Sequence, residues 1–238
     1  MNNQLNKVPI GKLISKAKTW NPLLSPPNDV FNYIDLSAID QDSKTITEVR
    51  EILCTEAPSR ARQIVIGGDV LVSTVRPNLN GVARVSEDHD GATASTGFCV
   101  LRARKDSLDG NYLFHWVKSK NFISDMVMKA TGANYPAVSD RIISESDIPL
   151  PPIEEQKRIA EILDRSSSLI SKRKEAIAKL DTLTQSIFIE MFGDPVTNPK
   201  NIKTLPLAKV CKRITNGTHQ PPKWSTSGHP FLFVRNEN

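Results

Sequence analysis

Few stretches of the 238-residue sequence combine residue types and spacings that could do covalent chemistry. Gly67-Gly68-Asp69 follows a β-rich run, as a phosphate-binding turn does. It leads into a second β-rich run rather than a helix, so it reads as a turn. No Gly-x-x-x-x-Gly-Lys-Ser/Thr loop is present, which argues against ATP hydrolysis by this chain. Asn21-Pro22-Leu23-Leu24 lacks the second proline and the stacking aromatic of the Asn-Pro-Pro-aromatic loop used in amino-methyl transfer. His89, His115, His219 and His229 stand far apart without metal-ligand spacing. Carboxylates are many but unfocused, so no two-metal site can be argued from them. What remains is the chemistry of binding.

The element that organises the chain is Ile153–Gly193. Ile159, Leu163, Ile170, Ile177, Leu180, Ile187 and Met191 recur at alternating steps of about three and four, with Ser166, Arg173 and Thr184 filling the gaps and Ile162, Leu169, Ala176 and Leu183 alongside. This is an apolar stripe on a helix of roughly 40 residues, on the order of 60 Å long. Pro151-Pro152 and Glu154-Glu155 suit its start, and Gly193-Asp194-Pro195 its stop. One reading is a coiled-coil spacer that needs a partner helix, although Ser166, Arg173 and Thr184 interrupt the seam. The other is a helix packed along its own domain.

Composition narrows the class. No run of about 18 apolar residues occurs, and the start MNNQLNK is too polar for a signal peptide. Cys54, Cys99 and Cys211 are isolated, which fits a reduced cytosolic protein without a disulfide framework or zinc site. The net charge of +5 is not spread evenly. Residues 1–150 carry 17 basic and 17 acidic side chains, the helix 7 of each, and residues 194–238 carry 7 basic against 2 acidic. A nucleic-acid site in the first domain therefore needs a locally basic face.

In chain order, Trp20-Asn21-Pro22 reads as an exposed turn, Phe31–Leu36 as a strand and Asp40–Lys44 as a turn. Gln63–Ser73 reads as two β-rich runs around the Gly-Gly turn. Arg76–Gly81 and Thr131–Pro136 read as loops, Val82–Val85 and Thr96–Leu101 as strands, and Asn111–Met128 as a helix. The expected fold class is α+β, mostly short strands with one or two helices, followed by the long helix. The expected divisions are 1–150, the helix 151–193, a polar linker 194–204 and the start of a second domain at 205–238. That start is suggested by a repeat. Val8-Pro9-Ile10-Gly11-Lys12 through Lys16 overlays Leu205-Pro206-Leu207-Ala208-Lys209 through Arg213. The expectation is a fragment or half-length form of a two-domain, two-helix protein.

The phrase DIPLPPIEEQKRIAEIL at 147–163 resembles the junction between a target recognition domain and a spacer helix in the specificity subunits of type I restriction–modification systems. Gly68–Pro77, Ser95–Phe98, Tyr112–Trp116 and Met191–Pro195 are weaker signatures of the same family. The resemblance implies a non-catalytic subunit in which each recognition domain reads one half of a split double-stranded DNA target. It implies docking of modification subunits that methylate adenine with S-adenosylmethionine, and of restriction subunits that use ATP and Mg. Those cofactors belong to the partners; none is expected in this chain. With a single recognition domain, the second spacer helix is expected from another copy, packed antiparallel as a homodimer.

On this reading, loops that reach base edges carry recognition, because no helix-turn-helix is visible. The first candidates are Arg76, Asn78 and Asn80, then Thr131, Asn134 and Tyr135, with Lys129 and Arg141 as flanking phosphate contacts. Lys12, Lys16, Lys18 and Trp20 form a further basic and aromatic cluster. Each has a plainer alternative. The asparagines serve a turn, Arg76 pairs with Asp69 or Asp88, Tyr135 packs its loop, and the lysines coat a solvated face. Two other classes compete: a coiled-coil protein–protein adaptor, and a fragment of a DNA methyltransferase or nuclease.

Overall fold

The computed structural model describes residues 6–211. Strands β1 (Lys7–Pro9), β2 (Ile14–Ser15), β3 (Lys18–Thr19) and β4 (Val30–Ile34) come first. Next are β5 (Ile39–Asp40), β6 (Thr45–Ile46), β7 (Arg50–Leu53), β8 (Ala61–Ile64) and β9 (Val70–Ser73). Strands β10 (Val82–Arg84), β11 (Thr93–Ser95) and β12 (Phe98–Ala103) precede helices α1 (Gly110–Val117), α2 (Lys120–Lys129) and α3 (Asp140–Glu145). Then follow β13 (Asp147–Pro149), the long helix α4 (Ile153–Phe192) and the single turn α5 (Leu207–Val210). The class is α+β.

Two sheets dominate, in the orders β10-β9-β12-β2 and β3-β8-β11-β4-β7, with β5-β6 and β1-β13 as two-stranded ribbons. Only the β11–β4 pairing is parallel among those described. The alternation of side chains on β9 and β12 explains the layering. Val70, Val72, Cys99 and Leu101 face one core, shared with Leu113, Val117, Phe122, Met126 and Ile143 of the helices. Leu71, Phe98 and Val100 face the opposite core, shared with Ile34, Ile39, Val65 and Ala94. A sheet buried on both faces needs apolar residues at consecutive positions, hence the unbroken run Val70-Leu71-Val72.

Several expectations are corrected here. The two runs in Gln63–Ser73 do not pair with each other: β8 joins β3 and β11, while β9 joins β10 and β12. The Gly67-Gly68 turn, with Gly68 at φ 89°, passes between the two sheets. Asn111–Met128 is two helices, because Ser119 stops α1 and caps α2 by accepting from Phe122 N–H. Arg141-Ile142-Ile143 lies in a third helix, capped by Ser139. Trp20 is half-buried, donating from Nε1 to Thr93 Oγ1 at 2.9 Å with its ring edge-on to Phe31.

The chain divides into two units, residues 1–173 and 174–238, so α4 is shared between them. In the first unit the start of α4 is held firmly. Gln156 is 1% exposed; its Oε1 accepts from Asp109 N–H at 2.9 Å, and its Nε2 donates to the carbonyls of Pro151 at 2.8 Å and Ser107 at 3.2 Å. Ala160 is buried in the helix-side core and Ile159 packs against it. Ile159 thus serves its own domain rather than a free helix interface. Leu163, Ile170, Ile177, Leu180, Ile187 and Met191 are exposed. In the second unit, Gly193 ends the helix at φ 77°, its N–H bonding to Ile189 O at 2.7 Å. Pro9 precedes the helical turn at Ile10 with φ −56° and ψ 132°; Pro206 precedes α5 with φ −56° and ψ 137°. The repeat thus shares its local backbone conformation there, and its last residues, with 212–238, lie outside the described residues.

Candidate nucleic-acid interface

The two candidate loops are adjacent. β9 leads through Thr74 and Val75 into Arg76, and the segment after Gly132 returns beside it. Arg76 N–H donates to Pro136 O at 2.7 Å, and Val138 N–H to Thr74 O at 2.8 Å. Thr131 and Ala137 exchange backbone hydrogen bonds of 3.0 and 2.9 Å, closing the second loop at its base. Gly132, at φ 104°, is required within it, since a Cβ there would sit 2.8 Å from Tyr135 O. In the first loop, Pro77–Leu79 forms a 3₁₀ turn flanked by Arg76 and Asn80 at φ 49° and 51°. Two non-glycine residues in the left-handed region are an unusual expense for six residues, and such strain concentrates at functional sites.

Across this junction the Arg76 guanidinium lies over the Tyr135 ring, 4.3 Å from its centroid. Stacking at an exposed site contributes about 0.5–1 kcal/mol, and it orients the guanidinium without consuming its donors. Asp69 does not pair with Arg76. It is buried and bound by Arg102 at 2.7 and 2.9 Å. Among the described residues Arg76 has no carboxylate partner. Asn78, Thr131, Asn134 and Tyr135 are exposed around it, whereas Asn80 is half-buried with its Nδ2 directed to Lys118 O at 3.4 Å.

The remaining candidates are placed differently. Lys129 pairs with Asp125 and Arg141 with Glu145, each at 2.7 Å and one helical turn apart. Such exposed pairs are weak and leave the cations available. Lys12, Lys16 and Lys18 are exposed, and Lys18 pairs with Ile64 of β8, in the other sheet from β9, which leads into the first loop. On β12, Phe98 lies opposite Ser73 beside the loop pair, while Arg102, toward the other end, lies opposite Ser15.

The sequence reading missed two lysines at the loop pair. Lys44, on the turn between β5 and β6, donates from Nζ to Asn80 O at 2.6 Å. Lys118 closes α1, with its ammonium 4.0 Å from the Phe114 ring centroid. Burial holds both below the ordinary lysine value; around Lys118 the Asp164 carboxylate opposes that shift and Lys44 adds to it. Beside them His115 meets Asp164 of α4 at 2.7 Å, and burial lowers its pKa. Lys44 and Lys118 thus add two cations beside the loop pair, each with carboxylates near it: Asp42 and Asp40 by Lys44, Asp164 by Lys118. No periodicity marks such lysines, because one is at a hairpin tip and the other at a helix end.

The family described as type I restriction modification DNA specificity domain matches residues 38–180. The HsdS subunit from Thermoanaerobacter tengcongensis is 35% identical with a TM-score of 0.64, over 84% of this chain and 51% of that one. A chain from a structure on complex assembly and conformational transition of the type I R-M system is 34% identical with a TM-score of 0.68, over 91% of this chain and 56% of that one. The type I restriction enzyme MjaIX specificity subunit of Methanocaldococcus jannaschii is 25% identical over 226 residues, 88% of this chain and 50% of its own length. The chain spans 27% of the MjaVIII specificity subunit of the same organism, at 31% identity over 116 residues.

Proposed function

The chain belongs to the type I restriction–modification DNA specificity family, and from that membership we propose that it reads one half of a split double-stranded DNA target. The observation that carries this reading is the junction of two loops around Arg76 and Tyr135, beside Lys44 and Lys118. Arg76 offers paired donors to a guanine edge, Asn78 and Asn134 offer amides to adenine, and Lys129 and Arg141 flank them as phosphate contacts. Catalysis falls to partners: modification subunits that methylate adenine with S-adenosylmethionine on a base turned out of the duplex, and restriction subunits that use ATP and Mg. The long helix scaffolds that assembly and pairs antiparallel with the helix of a second copy. The exposed apolar residues from Leu163 to Met191 support this pairing, because such a stripe in water favours a partner.

Co-purification with a modification subunit, followed by methylation-site sequencing, tests the assembly and gives the target. Binding to that target is expected to exceed binding to random duplex at all salt concentrations and to weaken as salt rises. Arg76→Ala is expected to cost roughly 1–3 kcal/mol and to relax preference at one position. Equal binding of wild type and variant would remove Arg76 from the interface.

A further inference from the structure

The turn between β5 and β6 meets the loop pair at two points, a hydrogen bond from Lys44 to Asn80 and a cavity lined in part by Gln41. Gln41 of this turn lines a cavity of about 200 Å³ together with Arg76, Tyr135, Leu36, Ile39 and Leu79. Gln41 itself is exposed. The turn that presents it is internally braced. Asp40 Oδ1 accepts from Ser43 N–H at 2.5 Å and from Asp42 N–H at 3.1 Å, and these bonds hold its carboxyl below the usual value. Lys44 leaves the turn at φ 60° and ties it to Asn80 O. A braced turn fixes where its glutamine stands relative to Arg76.

We propose that the turn between β5 and β6 is a third reading element, in which Gln41 discriminates one A·T base pair and Lys44 positions the loops. The inference rests on the reading that the loop pair meets duplex DNA. A carboxamide supplies one acceptor and one donor, matching the N6–H donor and N7 acceptor of adenine. Guanine presents two acceptors on that edge and suits the neighbouring Arg76. The aliphatic floor of the cavity suits the C5-methyl of the paired thymine, which cytosine lacks. Lys44 is a positioning residue: it donates to a backbone carbonyl, a role that Arg can fill and Met cannot.

Selection from a randomised duplex library with the full chain, by sequencing the bound fraction, tests this. Wild type is expected to yield a motif with an A·T pair at one position. Gln41→Ala is expected to lower the A·T preference there about ten-fold, leaving the position controlled by Arg76 intact. Replacing that adenine by 7-deazaadenine, which lacks the N7 acceptor, is expected to weaken wild-type binding similarly and to leave Gln41→Ala unaffected. Lys44→Met is expected to flatten both positions and Lys44→Arg to restore them, at unchanged urea midpoints. If Lys44→Met lowers that midpoint, the 7-deazaadenine comparison on wild type still decides the role of Gln41. An unaltered motif in Gln41→Ala, with Arg76→Ala still changing it, would overturn the inference and leave the proposed function standing. Retention of both positions in Lys44→Met would overturn the role of the lysine. A wild type without sequence preference would overturn the reading and the inference together.

Discussion

Helix α4 carries one apolar spacing and two fates. Its first turns place Gln156 and Ala160 in the interior of the first unit, with Ile159 packed against the core that holds Ala160. From Leu163 onward the same spacing is open to water; Ile170 and Ile177 are 58% and 59% exposed. The distinguishing signal is polar. Gln156 satisfies two carbonyls and one N–H of neighbouring segments, whereas Ser166, Thr182, Thr184 and Ser186 return their hydroxyls to their own helix carbonyls four residues back. A buried stretch must answer to the backbone around it, and an exposed one need only close its own hydrogen bonds. The first region packs into the core of its unit, and the second presents its apolar spacing to water.

Substitutions that respect or violate this division should sort by size. Ala160→Asp places an unpaired carboxylate in the core and is expected to cost about 3–5 kcal/mol in urea unfolding of the domain. A midpoint near that of wild type would erase the contrast. Gln156→Ala strands an N–H and two carbonyls and is expected to cost about 1–3 kcal/mol by the same measurement.

His115 and Asp164 give a smaller effect with a definite sign. Burial lowers the imidazole below its ordinary value of 6.5 in the folded chain. The unfolded state therefore takes up the proton first as pH falls through 6.5, and stability declines from there down through the folded-state value. Above 6.5 both states are neutral and this contribution is flat. The decline between pH 7.5 and pH 5 is expected to be shallower in His115→Gln; an equal or steeper decline would place the proton elsewhere. The smallest effect on unfolding belongs to the exposed stretch. Ile170→Asp combined with Ile177→Asp is expected to change domain stability by no more than about 0.5 kcal/mol, while converting a dimer to a monomer on sizing. A wild type already monomeric would end the proposal of helix pairing.

Much of this architecture was legible locally. The long helix announces itself by periodicity, and its stop by Gly193. The loops at Arg76 and Thr131 announce themselves by proline, glycine and asparagine. The lost information is non-local. β8 and β9 look like partners across Gly67-Gly68, yet each finds its neighbours in a different sheet, because pairing is decided by which cores the two faces must cover. Asp69 was a plausible mate for Arg76 until Arg102, 33 residues away in sequence, claimed it. Lys44 meets the loop from 36 residues away, a contact for which no spacing rule exists.

The pairing of β1 with β13 sets Lys7 opposite Pro149 and Asn6 O against Leu150 N–H at 2.9 Å. The two ends of the fold that precedes α4 therefore meet in a single ribbon. A chain closed this way returns to its own starting edge, so α4 begins beside the strand with which the fold opens.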